Sequence, residues 1–195
     1  MKFKGILLFL TLIIFFQFQF SSKGNELSDF QIEGISLKDS ALDYFDKNEI
    51  LDRKEKGFVY EKKDFFSATF YQKNFYEFYD NVQLHLKKDD NKYIIYSVGG
   101  QKSFDNYQNK CFEKMDEILN SIKTMFPNTG FFDDGIQDWT SSKNKGTKVK
   151  SYYLTLKSGD EITIQCYDHP NDSDSLPDTL LIALDSKEFV EWLYD

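Results

Sequence analysis

The sequence predicts an α+β domain of antiparallel sheet with about three helices, and three patterns carry that prediction. Val82, Leu84 and Leu86 alternate with polar residues, Asp89-Asp90-Asn91 turn the chain, and Tyr93 to Val98 return it, as in a hairpin. Ile162, Ile164 and Cys166 repeat the period of two behind the turn Ser158-Gly159-Asp160. Between these strand signals, Cys111, Met115, Ile118 and Ile122 recur at helical spacing up to Pro127, which cannot continue a helix.

The chain opens with Lys2 and Lys4, an apolar run from Ile6 to Phe16, and a short polar segment, which is the pattern of an export signal. Gln17 and Gln19 interrupt the run before the roughly 20 apolar residues that a spanning helix needs. Ser22 and Gly24 offer small residues for cleavage, so residues 1–24 are expected to be a signal peptide and 25–195 a single α+β domain. No cysteine lies near the end of the run to carry a lipid. The expected product is periplasmic or secreted, with no stable membrane anchor after cleavage.

A short strand is expected at Phe30 to Glu33, then a helix from about Leu37 to Leu51, with Ser36 as N-cap and Asp39 in its first turn. Leu37, Ala41, Leu42, Phe45 and Ile50 would form its buried stripe. Phe58 to Tyr60 and Phe65 to Tyr71 read as strands leading into the first hairpin. Asp105, with Gln108 as its capping-box partner, is expected to start the longest helix, Asn106 to Phe126. Asn128 to Lys148 reads as loop. The second hairpin, Lys150 to Lys157 and Glu161 to Tyr167, precedes a strand from Thr179 to Leu184 and a final helix capped by Asp185, burying Phe189, Trp192 and Leu193. Each half is then one helix followed by about three strands, an order compatible with a tandem αβββ arrangement.

Composition narrows the function classes. Without Lys2, Lys4 and Lys23 the 24 basic residues fall to 21 against 32 acids, a net charge of −11 that repels nucleic acid and anionic lipid. The 20 Phe and 12 Tyr beside 10 Gly and 3 Pro match AT-rich codon usage, so aromatic abundance alone does not mark a site. In an oxidising compartment the cysteine pair, Cys111 and Cys166, reads first as a disulfide, because a helix core face and a strand core face can meet.

Candidate chemistry is sparse. Cys166-x-x-His169 with Cys111 and His85 could assemble a zinc site, but His85 falls on the polar face of its strand and Cys166 on the inward face. The acidic loop Asp168, Asn171, Asp172, Asp174 and Asp178, and the cluster Asp133, Asp134 and Asp138, lack the glycine and glutamate spacing of a calcium-binding EF-hand. No metal, cofactor or catalytic residue is assigned on these grounds. The aromatic run containing Phe65, Phe66, Tyr71, Tyr76 and Tyr79 is the candidate binding surface, its competing reading being core packing.

The element order resembles the duplicated helix-plus-sheet architecture of β-lactamase-inhibitor-like and BamE-like periplasmic modules, which bind protein partners. In detail, Ile32-Glu33-Gly34-Ile35-Ser36-Leu37-Lys38-Asp39-Ser40-Ala41-Leu42-Asp43-Tyr44-Phe45 resembles the opening of a set of small, uncharacterised exported proteins of low-GC marine bacteria. Lys110-Cys111, Ser158-Gly159-Asp160, Cys166-Tyr167-Asp168 and the ending Lys187 to Leu193 resemble the same set, with departures at Lys38 and His169. The resemblance implies an exported domain with Cys111 paired to Cys166, and carries no activity. The function expected from sequence is therefore a non-catalytic binding module of the cell envelope, taking an envelope or secreted protein partner. Its rival is a small extracytoplasmic hydrolase using paired carboxylates. An exposed apolar patch would favour the first, and a cleft in which two acids meet would favour the second.

Overall fold

A computed structural model describes residues 27, 30–56, 60–62, 64–71, 73–104, 109–139, 146–170 and 176–194. The expected leader, the expected capping residues Asp105 and Gln108, and Asn171, Asp172 and Asp174 of the acidic loop lie outside the described residues, as do Phe58 and Val59 of one expected strand. Among the described residues no helix is long and apolar enough to cross a membrane.

The architecture is α+β. A two-stranded ribbon, β1 (Gln31–Ile32) with β2 (Ile35–Ser36), stands beside a seven-stranded sheet. The sheet holds β3 (Phe65–Tyr71), β4 (Asn81–Lys87), β5 (Ile95–Phe104), β6 (Phe132–Asp138), β7 (Lys148–Thr155), β8 (Glu161–Asp168) and β9 (Asp178–Asp185). Its spatial order is β3-β4-β5-β9-β8-β7-β6, and every neighbouring pair is antiparallel. The three helices are α1 (Lys47–Lys56), α2 (Lys110–Met125) and α3 (Lys187–Tyr194). The last strand of each half, β5 and β9, meet at the centre, and a helix precedes each three-strand meander; β6 and α3 have no counterpart in the first half.

Strand alternation sends one set of side chains to a shared core. Phe66, Ala68 and Phe70 of β3, Val82, Leu84 and Leu86 of β4, Leu180, Ile182 and Leu184 of β9, and Ile162, Ile164 and Cys166 of β8 are all buried in it. α1 packs against β3 on this face, and α2 lies across β8, β9 and β5 through Cys111, Met115, Leu119 and Ile122. Each such Leu or Ile contributes roughly 1.5–3 kcal/mol when fully buried. Cys111 and Cys166, fully buried and with Cα atoms 5.9 Å apart, form a disulfide that ties α2 to β8.

Four elements differ from the sequence expectation. The helix expected from Leu37 is instead a 3-10 turn at Ala41–Asp43 and a later helix, α1, and its expected N-cap Ser36 ends β2. Backbone groups here are committed to long-range pairing: the amides of Lys38 and Ala41 donate to the carbonyls of Ile95 and Tyr93, both at 2.9 Å, and the Ile95 amide donates to Asp39. Lys38, at φ 71°, is in the left-handed region and breaks any helix there. Leu37, Ala41, Phe45 and Ile50 are nevertheless buried, whereas Leu42 is exposed.

The expected loop Asn128 to Lys148 contains β6, an edge strand whose residues are all at least partly exposed, so no alternation marks it. α2 begins at Lys110 after Asn109, which is left-handed at φ 49°. Finally, Ser186 rather than Asp185 caps α3: the Phe189 amide donates to the Ser186 hydroxyl at 3.3 Å. Asp185 remains the last residue of β9 and points to the other face of the sheet.

Candidate functional site

The second face of the sheet is built from the alternate residues of the same strands. Its rows can be read across the ladder. Ser67, His85, Ser97, Asp185, Glu161 and Thr155 lie in one row, and Thr69, Gln83, Gly99, Ala183, Thr163 and Tyr153 in the next. A third row holds Tyr71, Asn81, Gln101, Leu181, Gln165 and Ser151. None of these positions carries a lysine or arginine, although the chain has 24. Solvated sheet faces normally carry such charges, so their exclusion from three rows sets this face apart.

α3 covers one end of the face. Ring contacts seat it: Phe189 stacks on the His85 imidazole with centroids 4.5 Å apart, and Trp192 meets Phe65 at 4.8 Å and Tyr60 at 5.0 Å. Polar ties fix the helix as well, from the Lys187 amide to Asp160 at 2.8 Å, from the Trp192 indole to Asp64 at 3.1 Å, and from Lys87 to Glu188. Between α3 and the uncovered rows lies a cleft of about 180 Å³. Gly99, Ala183 and Ser97 lie along its floor strands, and Tyr60, Tyr153, Phe189, Leu193 and Tyr194 add aromatic and apolar lining.

A chain of hydrogen bonds runs along the first row. The Tyr60 hydroxyl is 2.6 Å from His85 Nε2, His85 Nδ1 is 3.0 Å from Ser97 Oγ, and Ser97 in turn bonds the Asp185 carboxyl, which Thr163 also bonds. Burial pushes the His85 pKa down to about 3, so the imidazole is neutral, with one nitrogen donating and the other accepting. A consistent assignment has Tyr60 donating to Nε2, Nδ1–H donating to Ser97, and Ser97 donating to Asp185.

Asp185 is recessed at the inner end of this chain but open to solvent through the cleft. Burial pushes its pKa up to about 7; the hydrogen bonds from Ser97 and Thr163 work against the shift, and Glu161 directly opposite adds to it. Tyr60 is raised to about 12 by burial and by Asp185, and Tyr194 is raised by burial with Glu161, Tyr153 and Asp185 nearby. These interactions place two acids and three tyrosines around one volume. The open-face amides are also oriented: Gln83 donates to Thr69 at 3.1 Å, and Gln165 donates to Ser151 at 3.1 Å while accepting from Tyr167 at 2.9 Å.

The residues singled out in the sequence are dispersed. Phe65 is buried on the α3 side and Phe66 on the opposite, core side. Tyr71 is exposed at the end of β3, and Tyr76 is half-buried with its hydroxyl donating to the Phe70 carbonyl at 3.4 Å. Tyr79 packs its ring flat on Gly100, where an added Cβ would lie 2.6 Å from the ring. The Glu33 carboxylate fastens that loop by accepting from the amides of Glu77, Phe78 and Tyr79 at 2.6, 2.8 and 2.7 Å. These five aromatics do not converge on one surface.

The zinc ligand set does not assemble either. Its cysteines are joined to each other, His85 stands on the other face, and His169 bonds Thr147 at 2.8 Å. Asp133 accepts from the Gly135 amide and Asp138 pairs with Lys148, so β6 carries its acids as a solvated edge. Among the described residues no cluster of three His, Cys, Asp or Glu could hold a metal ion. Sequence reading missed Asp185, Glu161, Ser97, Thr163, Tyr60 and Tyr153. The available signal was the uncharged second phase of the strands, Ser97-x-Gly99-x-Gln101 and Thr163-x-Gln165. No protein-family model matches the chain, and no curated protein matches its sequence.

Proposed function

We propose that the chain is an exported, non-catalytic binding domain of the cell envelope, and that its site is the cleft between α3 and the open face of the sheet. The observation that carries this reading is the three lysine-free, hydrogen-bonding rows of the sheet face, with aromatic lining at one end. Export rests on the leader pattern, and the buried disulfide fits an oxidising compartment. Filling the cleft tests the assignment. In a panel of neutral saccharides, dipeptides and amines, a compound that shifts the amide resonances of Gly99, Thr163 and Ala183 should lose that effect in Ala183→Trp. Persistence of the shifts in the filled variant would move the site elsewhere. An intact mass beginning near Asn25, with thiols that alkylate only after reduction, tests export.

The hydrolase reading has one observation in its favour, the pair formed by Asp185 and Glu161. In glycosidases the two carboxylates flank the scissile bond, one on each side of the reacting centre. Asp185 and Glu161 are opposed residues of adjacent strands, so their side chains leave the same sheet face in the same direction, with Cβ atoms roughly 5 Å apart. Ser97 is no free nucleophile, being buried and bonded on both sides. Two carboxylates that leave one sheet face side by side do not straddle a glycosidic bond. Cleavage of chromogenic glycosides by the mature chain, abolished in Asp185→Asn, would replace the binding reading.

A further inference from the structure

We infer that the cleft takes a small organic cation, an alkylammonium or quaternary ammonium group, held between Asp185 and Glu161 below and tyrosine rings at the sides. The inference rests on the cleft being the binding site, and adds the charge of what it binds.

Charge complementarity is the first argument. The lining contains two carboxylates and no lysine or arginine, and its one histidine is neutral. An anion would be repelled by such a volume, and a neutral ligand would leave Asp185 and Glu161 competing across one ladder pair. A cation between the two carboxylates relieves that repulsion. The second argument is the walls. Tyr60, Tyr153, Phe189 and Tyr194 all line the cleft, and aromatic faces attract ammonium groups, most strongly when these are desolvated. A metal ion would need more oxygen ligands than two carboxylates supply and would gain little from the rings. Size is the third argument: about 180 Å³ is below the roughly 300–1,000 Å³ of ordinary ligand pockets, which suits a head group rather than a whole large molecule.

Binding of a cation favours the ionised form of Asp185, so affinity and pH are linked. The titratable groups facing Asp185 are Glu161 from β8, His85 from β4, Tyr153 from β7, Tyr60 ahead of β3, and Tyr194 from α3. Burial raises Tyr60 and Tyr194, which stay protonated, and keeps His85 neutral near pH 7, while Asp185 is pushed up to about 7 and titrates there.

The test is titration of the mature chain with choline chloride and, separately, with Nα-acetyl-lysine methylamide, followed by amide resonances and by calorimetry at pH 6 and pH 8. Choline reports a free quaternary ammonium, and the lysine derivative reports a side chain presented by a peptide. Saturable shifts at Ala183 and Thr163 are expected from at least one probe, about tenfold tighter at pH 8 than at pH 6 as Asp185 ionises. Glu161→Gln should weaken binding, and Asp185→Asn should also remove its pH dependence. Affinity unchanged in both variants, or no saturable response to either ammonium at pH 8, overturns the inference. If neutral saccharides or dipeptides shift the same amides while the ammonium probes do not, the cleft remains the site and only the charge assignment falls; if nothing shifts them, both fall.

Discussion

β4 shows the two faces of the sheet side by side. Val82, Leu84 and Leu86 are fully buried beneath the helices, while Gln83, His85 and Lys87, one residue along each time, stand on the open face. The same holds for β8, where Ile162, Ile164 and Cys166 alternate with Glu161, Thr163 and Gln165. The covered face is aliphatic, cross-linked and continuous with two helices, and it carries the stability. The open face is held by hydrogen bonds between short polar side chains and is sealed at only one end. A period of two lets one strand serve both purposes, because substitutions in one phase leave the other phase's contacts intact.

The comparison breaks hardest where the covered face is tied together. Replacing Cys111 and Cys166 with serine, or reducing the bond, frees a loop spanning 55 positions and should cost about 4 kcal/mol in the chain-entropy account. Urea unfolding with and without reductant measures this, and an unchanged midpoint would mean that the bond does not constrain the unfolded chain as argued. Leu84→Ala comes next. Leu84 is fully buried at the middle of the core face, so the lost transfer energy plus the cavity should cost about 3 kcal/mol.

The covered face was legible in the sequence and the open face was not, for a physical reason. Burial imposes a composition, so Ile162-x-Ile164-x-Cys166 and the Cys111, Met115, Ile122 stripe announced both their elements and the disulfide. A polar face imposes only an exclusion, here of lysine from three rows, and a missing residue type is visible only when rows from separate strands are laid together. Asp185 was hidden for the same reason. Read locally it sits where a helix cap belongs, and only the pairing of β9 with β5 and β8 brings it to Ser97 and Glu161. β6 escaped because an edge strand exposed throughout has no buried phase to read. The first helix was misplaced because long-range pairing of Lys38, Asp39 and Ala41 with Tyr93 and Ile95 overrode a plausible local cap.

The open face should show its buried polar row through pH. Asp185 in the folded chain holds its proton up to about pH 7, against an ordinary pKa of 3.8, so the folded state binds more protons across that window and stability falls as pH rises. His85 works the other way. Its folded pKa is about 3 against an ordinary 6.5, so the unfolded chain binds more protons between those values and stability falls as pH drops. The two slopes oppose each other between about pH 4 and 6.5, each at most about 1.4 kcal/mol per pH unit. Asp185→Asn should therefore become more stable with rising pH across that range, and His85→Gln less stable. Urea midpoints at pH 4.5, 5.5 and 6.5 separate them, and parallel slopes in the two variants would show that these groups are not the opposing pair.

The smallest effect on stability is expected one residue from one of the largest. Gln83 donates its side-chain amide to Thr69 on the open face, where water can replace that bond, so Gln83→Ala should change stability by no more than about 0.5 kcal/mol. Leu84, its neighbour in sequence, should cost several times more, and a urea series on the two variants reads the contrast directly. Gln83 also lines the cleft. If its truncation leaves the midpoint in place but weakens a bound ammonium probe, the open face is maintained for binding. If it destabilises the fold as much as Leu84→Ala does, the polar rows are structural, and the division of labour between the two faces has to be abandoned.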